Sequence, residues 1–159
     1  MTTPRAPAGA RRAGVRRRGS ARTRPHVGEW NVTLSGATRE RIFARVAVLI
    51  ARAAGRAGGA AGAWEPVALT APDEAALLVD WANELIGRGE ASGLAYAEVQ
   101  SVTVLPPAAG SASPQWHVSA QVRGYPVLEW RSPLKAATYH GAALVRRDGR
   151  WHATLLFDI

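Results

Sequence analysis

Between His26 and Leu34 the side chains alternate in character. The even positions His26, Gly28, Trp30, Val32 and Leu34 grow apolar, while the odd positions Val27, Glu29, Asn31 and Thr33 turn mostly polar. A period of two predicts a half-buried strand. Ser35-Gly36 then turns the chain, and Thr38 stands where an N-cap belongs. Ile42, Phe43, Val46, Leu49, Ile50 and Ala53 follow at helical spacing and draw one apolar stripe, with Arg41, Arg45 and Arg52 off it. The glycines of "GRAGGAAG" end that helix. "WEPVALT" reads as a short strand, and its Pro66 points to a sheet edge.

Thr70-Ala-Pro-Asp73 outlines a capping box, with Asp in place of the usual Glu. The helix it opens runs to about Arg88, with Leu77, Leu78, Trp81 and Leu85 inward and Asp73, Asp80, Asn83 and Glu84 on polar faces. "GRGEASG" reads as loop. Two more strands are expected near Ala95–Leu105 and Gln115–Arg123, and the chain closes as a hairpin around Asp148-Gly149, a strong two-residue turn signal. In the last strand Trp151, Ala153, Leu155 and Phe157 share one face, and His152, Thr154, Leu156 and Asp158 share the other. The sum is an α+β fold of two layers, a mostly antiparallel sheet packed against two amphipathic helices. No internal repeat is visible, and residues 26–159 form one domain.

Charge changes the picture at one end only. Of 20 basic residues, 8 are arginines within residues 1–24, where there is no acid; the remaining 12 balance 12 acids, so the body is formally neutral. The Arg/Ala/Pro/Gly-rich stretch 1–25 has no periodic apolar face and is expected to be disordered. It reads as a solvated extension or as a nonspecific phosphate-binding arm that contacts RNA. It lacks the apolar core of a secretory signal. There is no cysteine, which excludes disulfides, thiolate metal sites and a cysteine nucleophile, and suits a reducing cytoplasm. No apolar run reaches the roughly 18 residues of a membrane span.

Candidate chemistry is sparse. The nucleophile elbow GxSxG, the phosphate loop GxxxxGK[ST] and the helical HExxH are all absent. His26 and Glu29 lie three apart, which on a strand points them to opposite faces, so the four histidines do not spell a zinc site. The acids are more suggestive. Glu29 stands near the start of the first strand and Asp158 near the end of the last, both on polar faces. If those strands are neighbours, the two carboxylates and the chain's terminal carboxylate converge. Such a cluster repels itself unless neutralised, and hard cations such as Ca²⁺ or Mg²⁺ prefer all-oxygen sites.

Three ordered segments resemble the archease family. "PHVGEWNVTLSGATRERIF" is similar to that family's opening His-Thr-Ala-Asp strand, turn and helix. "EAALLVDWANELI" is similar to its Leu-Leu-x-x-Trp-x-Asn-Glu-Leu helix, and "LKAATYHG…DGRWHATLLFDI" to its Lys-Ala-x-Thr-Tyr-His strand, Asp-Gly hairpin and final Phe-Asp-Ile. The resemblance implies a small cytoplasmic accessory protein that is not itself an enzyme. Its partner would be an RtcB-type GTP-dependent RNA ligase, which it helps to guanylylate and to turn over in tRNA splicing or RNA repair. It also implies a divalent cation, Ca²⁺ before Mg²⁺ or Mn²⁺, held by Glu29, Asp158 and Ile159. The alternative is an RNA-binding or chaperone-like module acting through the basic tail. The family's opening motif is preceded by an Asp and ends in one. This chain has Pro25 at the first and Glu29 at the second.

Overall fold

A computed structural model of the chain describes residues 25–26 by backbone alone, and 28–131 and 134–159 in full. The expected tail, residues 1–24, lies outside the described residues. Pro25, grouped above with that tail, is already in a strand.

The alternation from Trp30 onward forms β2 (Glu29–Gly36), with Val32 buried, Trp30 and Leu34 half-buried, and Glu29, Asn31 and Thr33 exposed. The strand does not reach back to His26 as expected. Gly28, at φ +97°, breaks it, and Pro25–His26 folds back as β1 against Glu29 and Trp30. Only glycine adopts that backbone without strain, so the polar spacing around Gly28 marks a turn. The strand then carries through Ser35-Gly36 to a bend at Ala37-Thr38.

Thr38 caps α1 (Arg39–Ala54), its side chain accepting from the Arg41 N–H at 3.2 Å. Ile42, Phe43, Val46 and Ile50 are buried as their spacing predicts. Ala47 and Ala51 join them, while Leu49 and Ala53 sit at the margin. Gly55 ends the helix and opens β3 (Gly55–Ala57), a short strand not anticipated; a Cβ there would come within 2.0 Å of the Glu129 carbonyl oxygen. β4 (Glu65–Ala71) pairs only with β6 among the described residues, so Pro66 does stand on an edge strand.

α2 (Glu74–Ser92) departs from expectation at both ends. Its N-cap is Asp73, which accepts from the Ala76 N–H at 2.8 Å, so the cap lies three residues beyond Thr70. It also continues through "GRGEAS" to Gly93, whose left-handed backbone (φ +72°) lets its N–H bond the Gly89 carbonyl at 2.9 Å. Gly87 and Gly89 weaken the helix by about 1 kcal/mol each relative to alanine. Tertiary contacts offset this: Arg88 donates to Glu84 at 2.7 Å and to Glu65 at 3.1 Å, tying the helix to β4. Gly89 is buried close beneath the Leu94 carbonyl.

β5 (Leu94–Leu105) and β6 (Trp116–Trp130) follow, then the hairpin of β7 (Ala136–Arg147) and β8 (Arg150–Asp158), turned by Asp148-Gly149 as expected. β6 runs past Arg123 because the start of β5 and then β3 pair with its far end. The class is the expected one, with two helices and antiparallel sheets. The strands are divided between two sheets: β1-β2-β8-β7, and a second built around β6 with β3 and β4 along one side and β5 paired to it. Both helices touch both sheets. That is why α2 buries Val79, Ala82 and Ile86 as well as the predicted Leu77, Leu78, Trp81 and Leu85.

Two polar contacts hold the layers in place. The fully buried Trp81 donates its indole N–H to the Phe43 carbonyl at 3.0 Å, linking α2 to α1. Asn83 bonds Ala137 twice, donating to its carbonyl at 3.0 Å and accepting from its N–H at 2.7 Å. β7 is the outer strand of its sheet, so Asn83 takes the place of a missing strand partner. At the opposite end of β8, the Arg39 guanidinium lies 4.0 Å from the Trp151 ring centre and 5.0 Å from that of Trp116, and pairs with Glu74. One cation thus ties both sheets and both helix starts together.

Asn83→Ala leaves the Ala137 amide and carbonyl unpartnered and is expected to cost about 1–3 kcal/mol, read as a lower urea midpoint with unchanged m-value. Exposed Glu90→Ala serves as the neutral control. Asp73→Ala is expected to cost about 1 kcal/mol, and Thr70→Ala well under half of that; equal losses would return the cap to Thr70.

Candidate functional site

β2 and β8 pair antiparallel along the whole of β2, from Gly36 opposite Trp151 to Glu29 opposite Asp158. Directly opposed residues in such a pair point to the same face, with Cβ atoms about 4.5–5.5 Å apart. The two acids that the sequence singled out are therefore cross-strand neighbours. The ladder continues one residue further, where the Ile159 N–H donates to the Gly28 carbonyl at 3.1 Å. Ile159 is thereby held beside the two acids by its backbone.

A fourth group joins them. Asp158 faces Ala136 on its other side, and the Lys135 N–H donates to the Asp158 carbonyl at 2.8 Å. The Lys135 ammonium then reaches the Ile159 backbone oxygen at 3.1 Å. Glu29 and Lys135 are exposed and Asp158 is half-buried, so the cluster is open to solvent. The two side-chain carboxylates outnumber the one ammonium, and like charges directly opposed on a sheet are destabilising.

The donor chemistry suits a hard cation: two carboxylates and a backbone oxygen, with neither thiolate nor imidazole among them. Among the described residues no three His, Cys, Asp or Glu side chains gather in one place, and the further oxygen beside Glu29 and Asp158 is the Ile159 backbone oxygen. Such an ion would complete its shell with water.

The role of Lys135 was missed, and the reason lies in β7. Counting outward from the Asp148-Gly149 turn puts Tyr139 opposite Asp158. Between Thr138 and Ala143, however, β7 takes five steps while β8 takes two from Leu156 to Thr154. Three extra residues bulge out around Gly141 (φ +65°), and the register shifts to bring Lys135-Ala136 alongside Asp158. The bulge exposes Tyr139 and His140. Tyr139 donates its hydroxyl to Asp80 on α2, which holds the phenol above its ordinary pKa. Asp80 and Asn83 fix β7, which Lys135 immediately precedes, and Trp81 anchors their helix to α1.

The chain matches the family model described as "Archease protein family (MTH1598/TM1083)" over residues 22–159. It is 34% identical over 87 residues to the archease of Methanopyrus kandleri, a match that takes in 52% of this chain and 58% of that protein's length. Its fold is similar to the solution structure of Methanobacterium thermoautotrophicum protein 1598, with a TM-score of 0.65 at 19% identity over 86% of this chain and 96% of that one. It is also similar to the crystal structure of a Thermotoga maritima archease described as a possible chaperone, with a TM-score of 0.58 at 15% identity over 92% of this chain and all of that one. With the model matched from before β1 to the last residue, over a fold that solved structures share, the chain belongs to the archease family.

Proposed function

We propose that this protein is a non-catalytic accessory factor of an RtcB-type GTP-dependent RNA ligase. It would promote guanylylation of the ligase and its repeated turnover in tRNA splicing or RNA repair in the cytoplasm. The observation that carries the proposal is the register of Glu29 opposite Asp158 in a chain of this family. The reading that goes with it is a divalent-cation site at Glu29, Asp158 and Ile159, for Ca²⁺ before Mg²⁺ or Mn²⁺. Bound there, the cation supplies positive charge that can neutralise phosphate or carboxylate oxygens of a partner.

The chain's own residues prepare that position. The β2–β8 ladder holds the two carboxylates on one face, and the Gly28–Ile159 bond keeps the last residue from fraying. Lys135 restrains the Ile159 oxygen and supplies a second positive centre beside the acids. Glu29 stands where the family has Asp, and its extra methylene puts the carboxylate about an ångström further from the strand. An open, solvent-facing cluster suits an accessory role, since its acids can meet a second protein's surface. No helix among the described residues is long and apolar enough to cross a membrane.

Calcium at about 100 times its dissociation constant should stabilise the fold by roughly 2.7 kcal/mol, seen as a raised melting temperature. Glu29→Gln should weaken binding about tenfold, a loss near 1.4 kcal/mol, and Glu29→Asp should bind no more weakly than the parent. A melt indifferent to Ca²⁺, Mg²⁺ and Mn²⁺ alike removes the metal. In a multiple-turnover ligation assay with a cognate ligase, Asp158→Ala and a one-residue extension after Ile159 should each lose most of the stimulation. Full stimulation by both removes the proposal. RNA binding that falls steeply with salt and vanishes when residues 1–24 are deleted would favour the RNA-binding module instead.

A further inference from the structure

The body is formally neutral, but its positive charge is not spread evenly. On the second sheet and at the helix junctions the arginines have acid partners: Arg39 with Glu74, Arg56 with Glu129, Arg88 with Glu65 and Glu84, and Arg123 with Glu98. Arg41, Arg45, Arg52 and Arg150 have none among the described residues. All four line one open groove of about 860 Å³ between the flank of α1 and the inner face of β2. No carboxylate lines it.

Arg45 donates to the Ser35 carbonyl, but two features of the arrangement work against the isolated protein. Arg41, Arg45 and Arg52 are separated by four and seven residues, which puts them within about 40° of one another around α1 and along about 16 Å of its length. Arg41 and Arg45 are like charges at i,i+4, a spacing that destabilises a helix by roughly 0.2–0.5 kcal/mol. Arg41 also stands unpaired in the first turn, where the helix dipole repels a cation. Between the arginines the groove is apolar, floored by Trp30, Leu34, Val48 and Leu49.

We propose that this groove docks an acidic, amphipathic segment of a partner protein, its carboxylates received by Arg41, Arg45, Arg52 and Arg150 and its aliphatic side chains by Leu34, Val48 and Leu49. Guanidinium groups take carboxylates in bidentate fashion, and aliphatic floors take aliphatic anchors. The chain's own basic tail is a poor occupant, because its 8 arginines meet four more. Single-stranded nucleic acid needs aromatic faces on which bases stack. The one aromatic ring here, Trp30, packs against Phe157 with centroids 5.9 Å apart. The groove opens on the face of β2 opposite to Glu29, so it is a grip separate from the acidic cluster. It does not depend on the partner being a ligase.

The test uses the full chain and a fluorescent peptide of about 12 residues, with Asp or Glu every third or fourth position and Leu between. Binding is read by anisotropy at physiological salt. Arg41→Glu with Arg52→Glu, both exposed, should weaken binding at least about tenfold, with an unchanged far-ultraviolet spectrum. Arg146→Glu with Arg147→Glu, the same charge change at the hairpin tip, should leave it unaltered, and a peptide of equal charge with Ser for Leu should bind markedly more weakly. Equal loss in both double variants, or equal affinity for the Ser peptide, would reduce the effect to general electrostatics and overturn the proposal. So would a single-stranded RNA of similar length that binds as tightly and is lost in the groove variant. A concentration-dependent dimer dissociated by that variant would assign the groove to a second copy of the chain and overturn it equally.

Discussion

The pairing of β2 with β8 is the constraint on which the molecule is built. It joins the two ends of the folded body, so forming it carries the closure entropy of nearly the whole chain between them. Its register has no slack. A slip of one residue would turn Trp30, Val32 and Leu34 outward and bring Glu29, Asn31 and Thr33 toward the core. Buried Ala153, Leu155 and Phe157 on the partner strand enforce the same choice from the other side. The placement of Glu29 against Asp158 therefore follows from hydrophobic burial, which holds the two acids together against their mutual repulsion.

The three segments that resemble the family are mechanically one device. The first and last form the ladder. The middle one, on α2, has no residue among the acids, yet Trp81 anchors that helix to α1 and Asp80 and Asn83 hold β7. β7 in turn presents Lys135 to Ile159. A substitution in α2, remote in sequence from the cluster, acts on it through this chain of contacts.

Sequence reasoning reached the elements whose signals are local and periodic. The α1 stripe, the Asp148-Gly149 turn and the alternating faces of β8 were legible because side-chain periodicity reports burial directly. The adjacency of Glu29 and Asp158 came from facing and family resemblance together. What escaped it was set by tertiary partners. β3 exists because the end of β6 offers an edge; α2 outlasts two glycines because Arg88 and Gly89 have partners elsewhere. The three-residue bulge in β7 leaves no trace beyond one glycine, and without it Lys135 cannot be placed. Arg41, Arg45 and Arg52 were visible as positions off the apolar stripe, but the lack of acid partners in the groove, and the presence of Arg150 there, are properties of the folded surface.

Asn83 has a consequence beyond the fold's own stability. An outer strand with unpaired amides is a template onto which strands of other molecules can add, and proteins commonly blunt such edges with charge, proline or distortion. Here a helix lends one amide side chain that satisfies Ala137 in both directions, and the bulge that follows deforms the next stretch. The margin is thereby blunted at Ala137 and along the bulge. A strand from another molecule would find no continuous row of free amides there, because the ladder it needs is interrupted at Ala137 and again at the bulge.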